Sequence, residues 1–501
     1  MSVRFFGSQI GGKTERPLSY TGSPWRLFIS DIRLFNRWSF YLVNIVLPLW
    51  PWPSGDLDEL YPSPANNFDI VLHSVLFVTQ TAFLISLPVW ATFPFFLCVA
   101  YVVAFIALNT AVCMLLNGQI PEGGLPSTVD DQSRAWARHD DETWLFLNGV
   151  AVGYVSTPWF ILCFYAAETF TGNTGCKATS IEYRRLFTVQ LQACTTKRNV
   201  PQPQISLLQL THTRSGIIFD VIQCLIQRAF CYNTSDIRQC YVLVKKALYA
   251  PEIKKVVLIL HSQGGIEGSM ILDWLLDEVP HDLLKQLEVY TFGNAANHFN
   301  NPYVDNVSSV DASSSSQSRR DQPTTTPNRA IAHIEHYANS KDFVSRWGVL
   351  NFTRKMPQNR FENRFMGRVF ERPGKGHQFN QHYLDNIFPL DPTRSFVREP
   401  EPGDFMDMEV VEGGDETGKG AREGIVQSLR ATMGSTEAEA RVLNDSPTAV
   451  RMQAREESFW QRARERFDVL KMTNGDTNGV KVRDLSRLWA YRNGRCPPAC
   501  Y

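Results

Sequence analysis

The chain lacks a surplus of charge of either sign, since its 501 residues include 50 Lys and Arg residues and 50 Asp and Glu residues. Without a basic surplus, nucleic-acid binding is not expected. The ten cysteines contain no Cys-x-x-Cys pair, the histidines are not clustered at metal-ligand spacing, and no glycine-rich phosphate-binding loop is present. We therefore expect a reducing compartment and no metal or organic cofactor. Residues Met1 to Tyr20 also lack the apolar core of a cleaved signal peptide.

Charged residues are absent from Ile70 to Leu116, where His73 is the only titratable side chain besides cysteine and tyrosine. A run of about 47 uncharged residues is too long for one buried helix and long enough for two membrane spans of about 20 residues each. Pro94 lies near its middle and is a natural hinge. We predict an interfacial segment over residues 1–68 and a transmembrane helical hairpin over 69–117. An apolar hairpin in the core of a soluble protein is the alternative.

A hairpin places both of its flanks on one side of the membrane. The turn at Pro94 has no basic residue, whereas arginines occur before and after the hairpin, among them Arg33, Arg37, Arg134 and Arg138. The positive-inside rule therefore predicts that both flanks are cytosolic. Membrane lipids are the expected partners of the hairpin.

A short apolar run ends in a serine at Val256 to Gly265, where the sequence is Val-Val-Leu-Ile-Leu-His-Ser-Gln-Gly-Gly. The pattern predicts a buried strand that turns sharply into a helix, with the hydroxyl of Ser262 exposed on a strained turn. Glycines after the serine avoid clashes in such a turn. The usual pattern has glycine two residues before the serine, and Leu260 stands there instead. An ordinary loop serine is the alternative.

A serine nucleophile requires a general base and an acid that orients the base, and in this architecture they follow the serine in the order acid, then histidine. Asp342 comes just after one strand-like run, and His377 follows another in a Gly-His pair. His382 lies five residues further on and is an alternative base. We therefore predict a triad of Ser262, Asp342 and His377 or His382. Taken singly, such an aspartate is more often a helix cap or a turn residue.

The oxyanion of an acyl-transfer intermediate requires two preorganised backbone donors. One is expected from the amide of Gln263, directly after the nucleophile. The other is expected from the loop Asn148-Gly149, where an apolar strand-like run breaks, through the amide of Gly149 or Val150. An ordinary Asn-Gly turn is the alternative. A third membrane span over Thr143 to Ala167 would exclude the loop altogether.

Strand-like and helix-like patterns alternate in the middle of the chain, which predicts an α/β fold with a doubly wound, mostly parallel sheet. We place this domain at residues 140–395, with a disordered insert at about 308–328. From Glu399 to Glu416 the chain has eight acidic residues and no Lys or Arg, which predicts a disordered linker over 396–446. Residues 447–501 are predicted to form an amphipathic helix and tail that docks on the domain, on a membrane or on a partner.

Three motifs resemble the lipase and esterase branches of the α/β-hydrolase superfamily: the His-Ser-Gln-Gly-Gly elbow at Ser262, the Tyr-Thr-Phe-Gly strand ending at Gly293, and the Asp-Phe-Val segment at Asp342. They are similar in particular to class 3 lipases, and to fungal membrane-associated hydrolase-like proteins. The resemblance covers roughly residues 140 to 390. It implies an α/β-hydrolase fold and a serine-esterase triad, but not a substrate. With the predicted hairpin, we expect a membrane-anchored serine hydrolase that cleaves carboxylic esters, and anchoring at a bilayer favours lipid-derived esters over small soluble ones. The alternative is a catalytically inactive scaffold that is tethered to a membrane for partner binding.

Overall fold

The computed structural model describes residues 2–6, 23–45, 47, 64–117, 141–149, 208–210, 215–302, 329–353, 365–390, 397–412, 480–494 and 497. The described strands form one sheet of eight. In chain order they are β1 (Val3–Phe6), β2 (Glu142–Leu147), β3 (Leu208–Leu210), β4 (Lys255–His261), β5 (Leu287–Phe292), β6 (His333–Asn339), β7 (Arg368–Arg372) and β8 (Val410–Glu412).

The sheet is mixed and mostly parallel, with the strand order β3-β2-β4-β5-β6-β7-β1-β8. Every neighbouring pair is parallel except β1 and β7. The central strand β4 is apolar without alternation because both of its faces are covered. Leu258 and Leu260 join the hydrophobic core on one face, and Val257 and Ile259 join the core on the other. The expectation of a mostly parallel α/β sheet is therefore confirmed.

Helices cover both faces of the sheet. The described α-helices are α1 (Pro24–Trp38), α2 (Pro64–Trp90), α3 (Phe95–Asn117), α4 (Ile217–Phe230), α5 (Ser235–Tyr249), α6 (Gly264–Glu278), α7 (His281–Leu284), α8 (Phe343–Trp347), α9 (Val349–Thr353), α10 (Asp385–Ile387) and α11 (Val482–Leu485). Helices α4 to α9 pack on one face, and a π-helix, Phe379–Leu384, packs with α10 and α11 on the other. Helical 3-10 turns occur at Ser39–Ile45, Phe405–Asp407 and Leu488–Gly494.

Two of the helices, α2 and α3, are long and apolar enough to cross a membrane, over Asn67–Trp90 and Phe95–Leu116. They contact each other directly, because the ring of Phe83 stacks on that of Phe105 at a centroid distance of 3.8 Å. In the part of the chain that the structure describes, only 22% and 11% of their most apolar stretches are buried. Helices in the core of a soluble protein are mostly buried, and these two are not.

The boundaries predicted for the domain are too narrow at both ends. Strand β1 falls in the segment predicted to be interfacial, and β8 falls in the predicted acidic linker, yet both belong to the sheet. The described part of that linker contains apolar residues among its acidic ones. Three of them, Phe405, Met406 and Val410, are buried in the core on one face of the sheet. Residues 480–494, assigned to the tail, also pack on the sheet, and Trp489 is fully buried there.

The segment over residues 480–494 is held by buried polar contacts as well as by its apolar residues. The guanidinium of Arg487 pairs with Glu288 on β5 at 2.7 Å, and the amides of Arg487 and Leu488 donate to the carboxylate of Glu335 on β6. Burial raises the pKa of Glu288, but the positive charges of Arg487 and Lys255 outweigh it and hold the pKa well below its usual range. Residues 480–494 are therefore fixed on β5 and β6 by ionic contacts as well as by apolar packing.

Several predicted features lie outside the described residues. These are the insert at about 308–328, the linker beyond Glu412, and the amphipathic helix predicted within 447–479.

Candidate active site

Ser262 lies on a sharp turn between β4 and α6. Its φ angle is +57°, the left-handed region that side chains other than glycine seldom adopt, at a cost of about 1–2 kcal/mol. Hydrogen bonds of the surrounding backbone hold it there: its amide donates to the carbonyl of Phe292, and its own carbonyl accepts from Ala295 and Gly265. The predicted strand, strained turn and helix are all present, but Ser262 is only 7% exposed, because neighbouring segments cover the turn, so the expected exposure of its hydroxyl is not met.

Leu260, which replaces the usual glycine before the nucleophile, is accommodated by a glycine on the facing helix. A Cβ atom on Gly268 of α6 would lie 2.2 Å from Cδ1 of Leu260, so the absence of a side chain at Gly268 makes the space that Leu260 fills. The departure from the usual pattern is therefore compensated from the helix side. The turn keeps its geometry with leucine at this position.

Ser262, His377 and Asp342 form a continuous hydrogen-bonded chain. Nε2 of His377 lies 2.9 Å from Oγ of Ser262, and Nδ1 of His377 lies 2.9 Å from Oδ2 of Asp342. All three side chains are buried. Because an ionised carboxylate only accepts, Nδ1 of His377 carries the proton and Nε2 is left to accept from the serine hydroxyl. This is the arrangement that a serine nucleophile requires.

Asp342 caps a helix and also contacts the base, so it is both the helix cap and the triad acid considered from the sequence. Oδ1 accepts from the amide of Val344 at the start of α8, while Oδ2 accepts from Oγ of Ser345 and from the hydroxyl of Tyr383 at 2.8 Å each. Burial raises the pKa of Asp342, but His377 and these hydrogen bonds outweigh it and lower the pKa below its usual value. The carboxylate is therefore ionised at neutral pH and fixed in orientation.

His382, the alternative base, has other contacts. Its Nδ1 accepts from the amide of Gln378, and its carbonyl accepts from Asn339 at the end of β6. Its ring packs against Gly376, where a Cβ would lie 2.3 Å from Cγ of the imidazole. Of the two histidines, His377 is therefore the one that contacts both Ser262 and Asp342.

The predicted oxyanion loop lies against the nucleophile. A Cβ on Gly149 would lie 2.6 Å from Cβ of Ser262, 2.8 Å from the amide nitrogen of Gln263 and 2.9 Å from Oγ of Ser262. The absence of a side chain therefore lets the backbone of Gly149 approach the nucleophile and the Gln263 amide this closely. The loop expected to border the oxyanion thus lies beside Ser262. The side chain of Gln263 is held by Gln227, since its Nε2 donates to Oε1 of Gln227.

The amide of Gly149 is occupied by a hydrogen bond to its own neighbour. It donates to Oδ1 of its neighbour Asn148 at 2.8 Å, because the short asparagine side chain folds back onto the following peptide. The expectation that Gly149 supplies the second donor is therefore not met in this arrangement. Val150, the other donor expected here, lies outside the described residues.

His261, which sequence reasoning did not single out, links the base to the oxyanion loop. Its Nε2 lies 2.9 Å from the carbonyl oxygen of His377, and its Nδ1 lies 3.0 Å from Oδ1 of Asn148. Burial and the neighbouring His377 lower the pKa of His261 to about 3, so the ring is neutral at pH 7 and donates to one of the two oxygens at a time. The sequence signal that could have identified it is a histidine at the end of a strand that is otherwise apolar from Val256 to Leu260.

The arrangement can support nucleophilic acyl transfer. It places a hydroxyl, an imidazole and an ionised carboxylate in line, with the backbone of Gly149 and the amide of Gln263 beside the hydroxyl. Comparisons with models of known protein families, with curated proteins and with solved structures find no match to this chain.

Proposed function

We propose that the protein is a membrane-anchored serine hydrolase with an α/β-hydrolase fold, which cleaves carboxylic esters through an acyl-enzyme. The observation that carries the proposal is the hydrogen-bonded chain from Oγ of Ser262 through His377 to Asp342, on a turn with φ +57°. Isolated serines in loops do not need such strain or such partners. The position of the serine after a central parallel strand agrees with the resemblance to lipases and esterases.

In the proposed mechanism, Oγ of Ser262 attacks the ester carbonyl carbon while Nε2 of His377 takes the hydroxyl proton. Asp342 stabilises the imidazolium that forms and keeps its Nδ1 proton in place. The amide of Gln263 stabilises the oxyanion of the tetrahedral intermediate. His377 then returns the proton to the departing alcohol, and the same steps with water as the nucleophile release the acid. No metal or organic cofactor is required by this chemistry.

The fold supports a hairpin that crosses the membrane twice. Strand β1 and helix α1 precede the apolar helices, β2 follows them, and all three belong to the domain built around the sheet. The chain between Ile45 and Asp141 must therefore cross the membrane an even number of times. Helices α2 and α3 supply two spans. The distribution of arginines around them supports a cytosolic location of the domain.

Anchoring at a bilayer makes lipid-derived esters the favoured substrate class, and small soluble esters are expected to react at the same serine. The alternative function is a catalytically inactive scaffold that binds partners at the membrane. The two differ in one property, the reactivity of Ser262.

The test compares wild type, Ser262→Ala and Ser269→Ala, all reconstituted in lipid vesicles. Ser269 is the matched control, because it is a buried serine of α6, the helix that follows Ser262, and its hydroxyl donates to the carbonyl of Ile266 outside the triad. Wild type and Ser269→Ala should be labelled by a fluorophosphonate and should hydrolyse short-chain esters. Ser262→Ala should do neither, with a loss on the order of 10⁴-fold or more in turnover. If folded wild type neither labels nor hydrolyses any ester, the scaffold function replaces the enzyme.

A further inference from the structure

Helix α1 and the 3-10 turn after it present an unusual surface to the outside, which we call the docking face. It consists of exposed apolar and basic side chains of residues 25–43, namely Trp25, Arg26, Ile29, Ile32, Arg33, Arg37, Phe40, Leu42 and Val43. Trp25 and Phe40 are 65% and 63% exposed. Large apolar side chains interspersed with arginine on one helix face are typical of segments that lie in a membrane interface.

The docking face carries positive charge without a compensating carboxylate of its own helix. Asp31 is the only acidic residue of α1, and it is buried on the opposite side. There it receives two hydrogen bonds from the guanidinium of Arg228, at 2.9 and 3.1 Å. The exposed face is therefore complementary to an anionic lipid surface, to which each nearby arginine contributes attraction.

The orientation of the docking face is fixed by aromatic contacts on the inner side of the segment. The ring of Phe35 packs at 5.0 Å from Phe343 and 5.7 Å from Trp347. Helix α1 and the apolar helix α2 also pack on the same helix, α4. Helix α4 therefore connects the docking face to α2, one of the two helices that are apolar enough to span a bilayer.

The same segment touches the loops that carry two of the triad residues. Nδ2 of Asn44 donates to the carbonyl of Lys341, the residue before Asp342, at 2.8 Å. Nε2 of Gln378, the residue after His377, donates to the carbonyl of Ile45 at 3.1 Å. The end of the segment therefore sits beside both the acid and the base.

We propose that the docking face lies on the surface of an anionic bilayer and seats the Ser262 site against it, so that the substrate is an ester resident in that bilayer. The identification of the substrate rests on the proposed hydrolase function. The binding of the surface to lipid does not, because it depends only on the exposed side chains and their charge.

The first test measures docking without using activity. Full-length protein is reconstituted in phosphatidylcholine vesicles with or without phosphatidylserine, and hydrogen exchange of residues 25–45 is followed by mass spectrometry. Phosphatidylserine should slow exchange across this segment in wild type, and the effect should be lost in Arg26→Gln/Arg33→Gln. The matched control is Arg238→Gln/Lys246→Gln, which removes two exposed positive charges from α5, outside the docking face. Exchange that is indifferent to phosphatidylserine overturns the docking proposal and leaves a protein partner as the occupant of this surface.

The second test connects docking to the substrate. Hydrolysis of a long-chain ester embedded in the vesicles is compared with hydrolysis of a short soluble ester. Each arginine removed should lower the rate on the embedded ester about fivefold in phosphatidylserine vesicles, and the soluble ester should be hydrolysed at the wild-type rate. Equal loss on both esters overturns the assignment of a bilayer substrate. If phosphatidylserine protects residues 25–45 from hydrogen exchange but the protein hydrolyses neither ester, the hydrolase function is refuted and the docking proposal stands.

Discussion

Replacing Gly149 by alanine is the sharpest test of the site, because it crowds the nucleophile without removing a functional group. The new Cβ would lie 2.6 Å from Cβ of Ser262, 2.8 Å from the amide nitrogen of Gln263 and 2.9 Å from Oγ of Ser262, all inside ordinary van der Waals contact. The overlap is with backbone and with the nucleophile itself, so no flexible side chain can move aside. Relief of the overlap therefore has to displace Ser262 or the Gln263 amide that is proposed to bind the oxyanion.

The expected loss of kcat is roughly 10²–10³-fold, the size seen when one oxyanion donor is removed. The accompanying loss of stability should be about 1–3 kcal/mol, as for other overpacked sites. Turnover of a short soluble ester and the rate of fluorophosphonate labelling are measured together with thermal unfolding. Both rates should fall.

The matched control is Gly403→Ala. Gly403 has a φ of +101° and nothing within 4 Å of a built Cβ, so alanine there strains the backbone without touching Ser262. It should lose stability and keep the wild-type turnover. A Gly149→Ala protein that hydrolyses esters as fast as wild type would refute the close approach of this loop to the catalytic serine.

Gly268→Ala should destabilise the fold by about 1–3 kcal/mol, because the new methyl group overlaps Leu260. Combining it with Leu260→Ala should rescue part of this loss in thermal unfolding. Strictly additive losses would contradict the idea that Gly268 makes room for Leu260. Tyr383→Phe should lose about 1.5–3 kcal/mol at pH 7, because it removes a hydrogen bond to a carboxylate. Since the pKa of Asp342 is lowered in the folded state, that deficit should disappear as the pH falls through it, and a deficit that persists in acid would argue against this origin. Arg487→Gln should cost about 3–5 kcal/mol of unfolding free energy by leaving a buried carboxylate unpaired, and a change near zero would show that residues 480–494 contribute little.

The parts of the molecule that could be predicted from sequence are those in which one local pattern decides the outcome. The elbow is contiguous, so the buried run of β4, the strained serine and the following helix are visible together. Asp342 and His377 could be proposed because each directly follows a strand-like run. The choice between His377 and His382 could not be made, because it depends on which imidazole the loop after β7 turns toward Ser262.

The outermost strands of the sheet could not be predicted. The edge strands β3 and β8 have three residues each and β1, beside β8, has four, too few for alternation to be recognised. In the strand-like run before His377, the regular strand begins only at Arg368, directly after Gly367, which has a φ of +125°. The long-range pairing of Arg487 with Glu288 leaves no local trace in the sequence at all.

The position of β1 has a consequence for biosynthesis. Arg4 pairs with Glu371 across 367 positions of the chain, so β1 cannot pair with β7 until all the intervening strands have been translated. By then the two long apolar helices α2 and α3 have already left the ribosome. The nascent protein therefore has to keep an unpaired strand and two apolar helices from aggregating at the same time, and it completes its sheet only after β7 and β8 have been made.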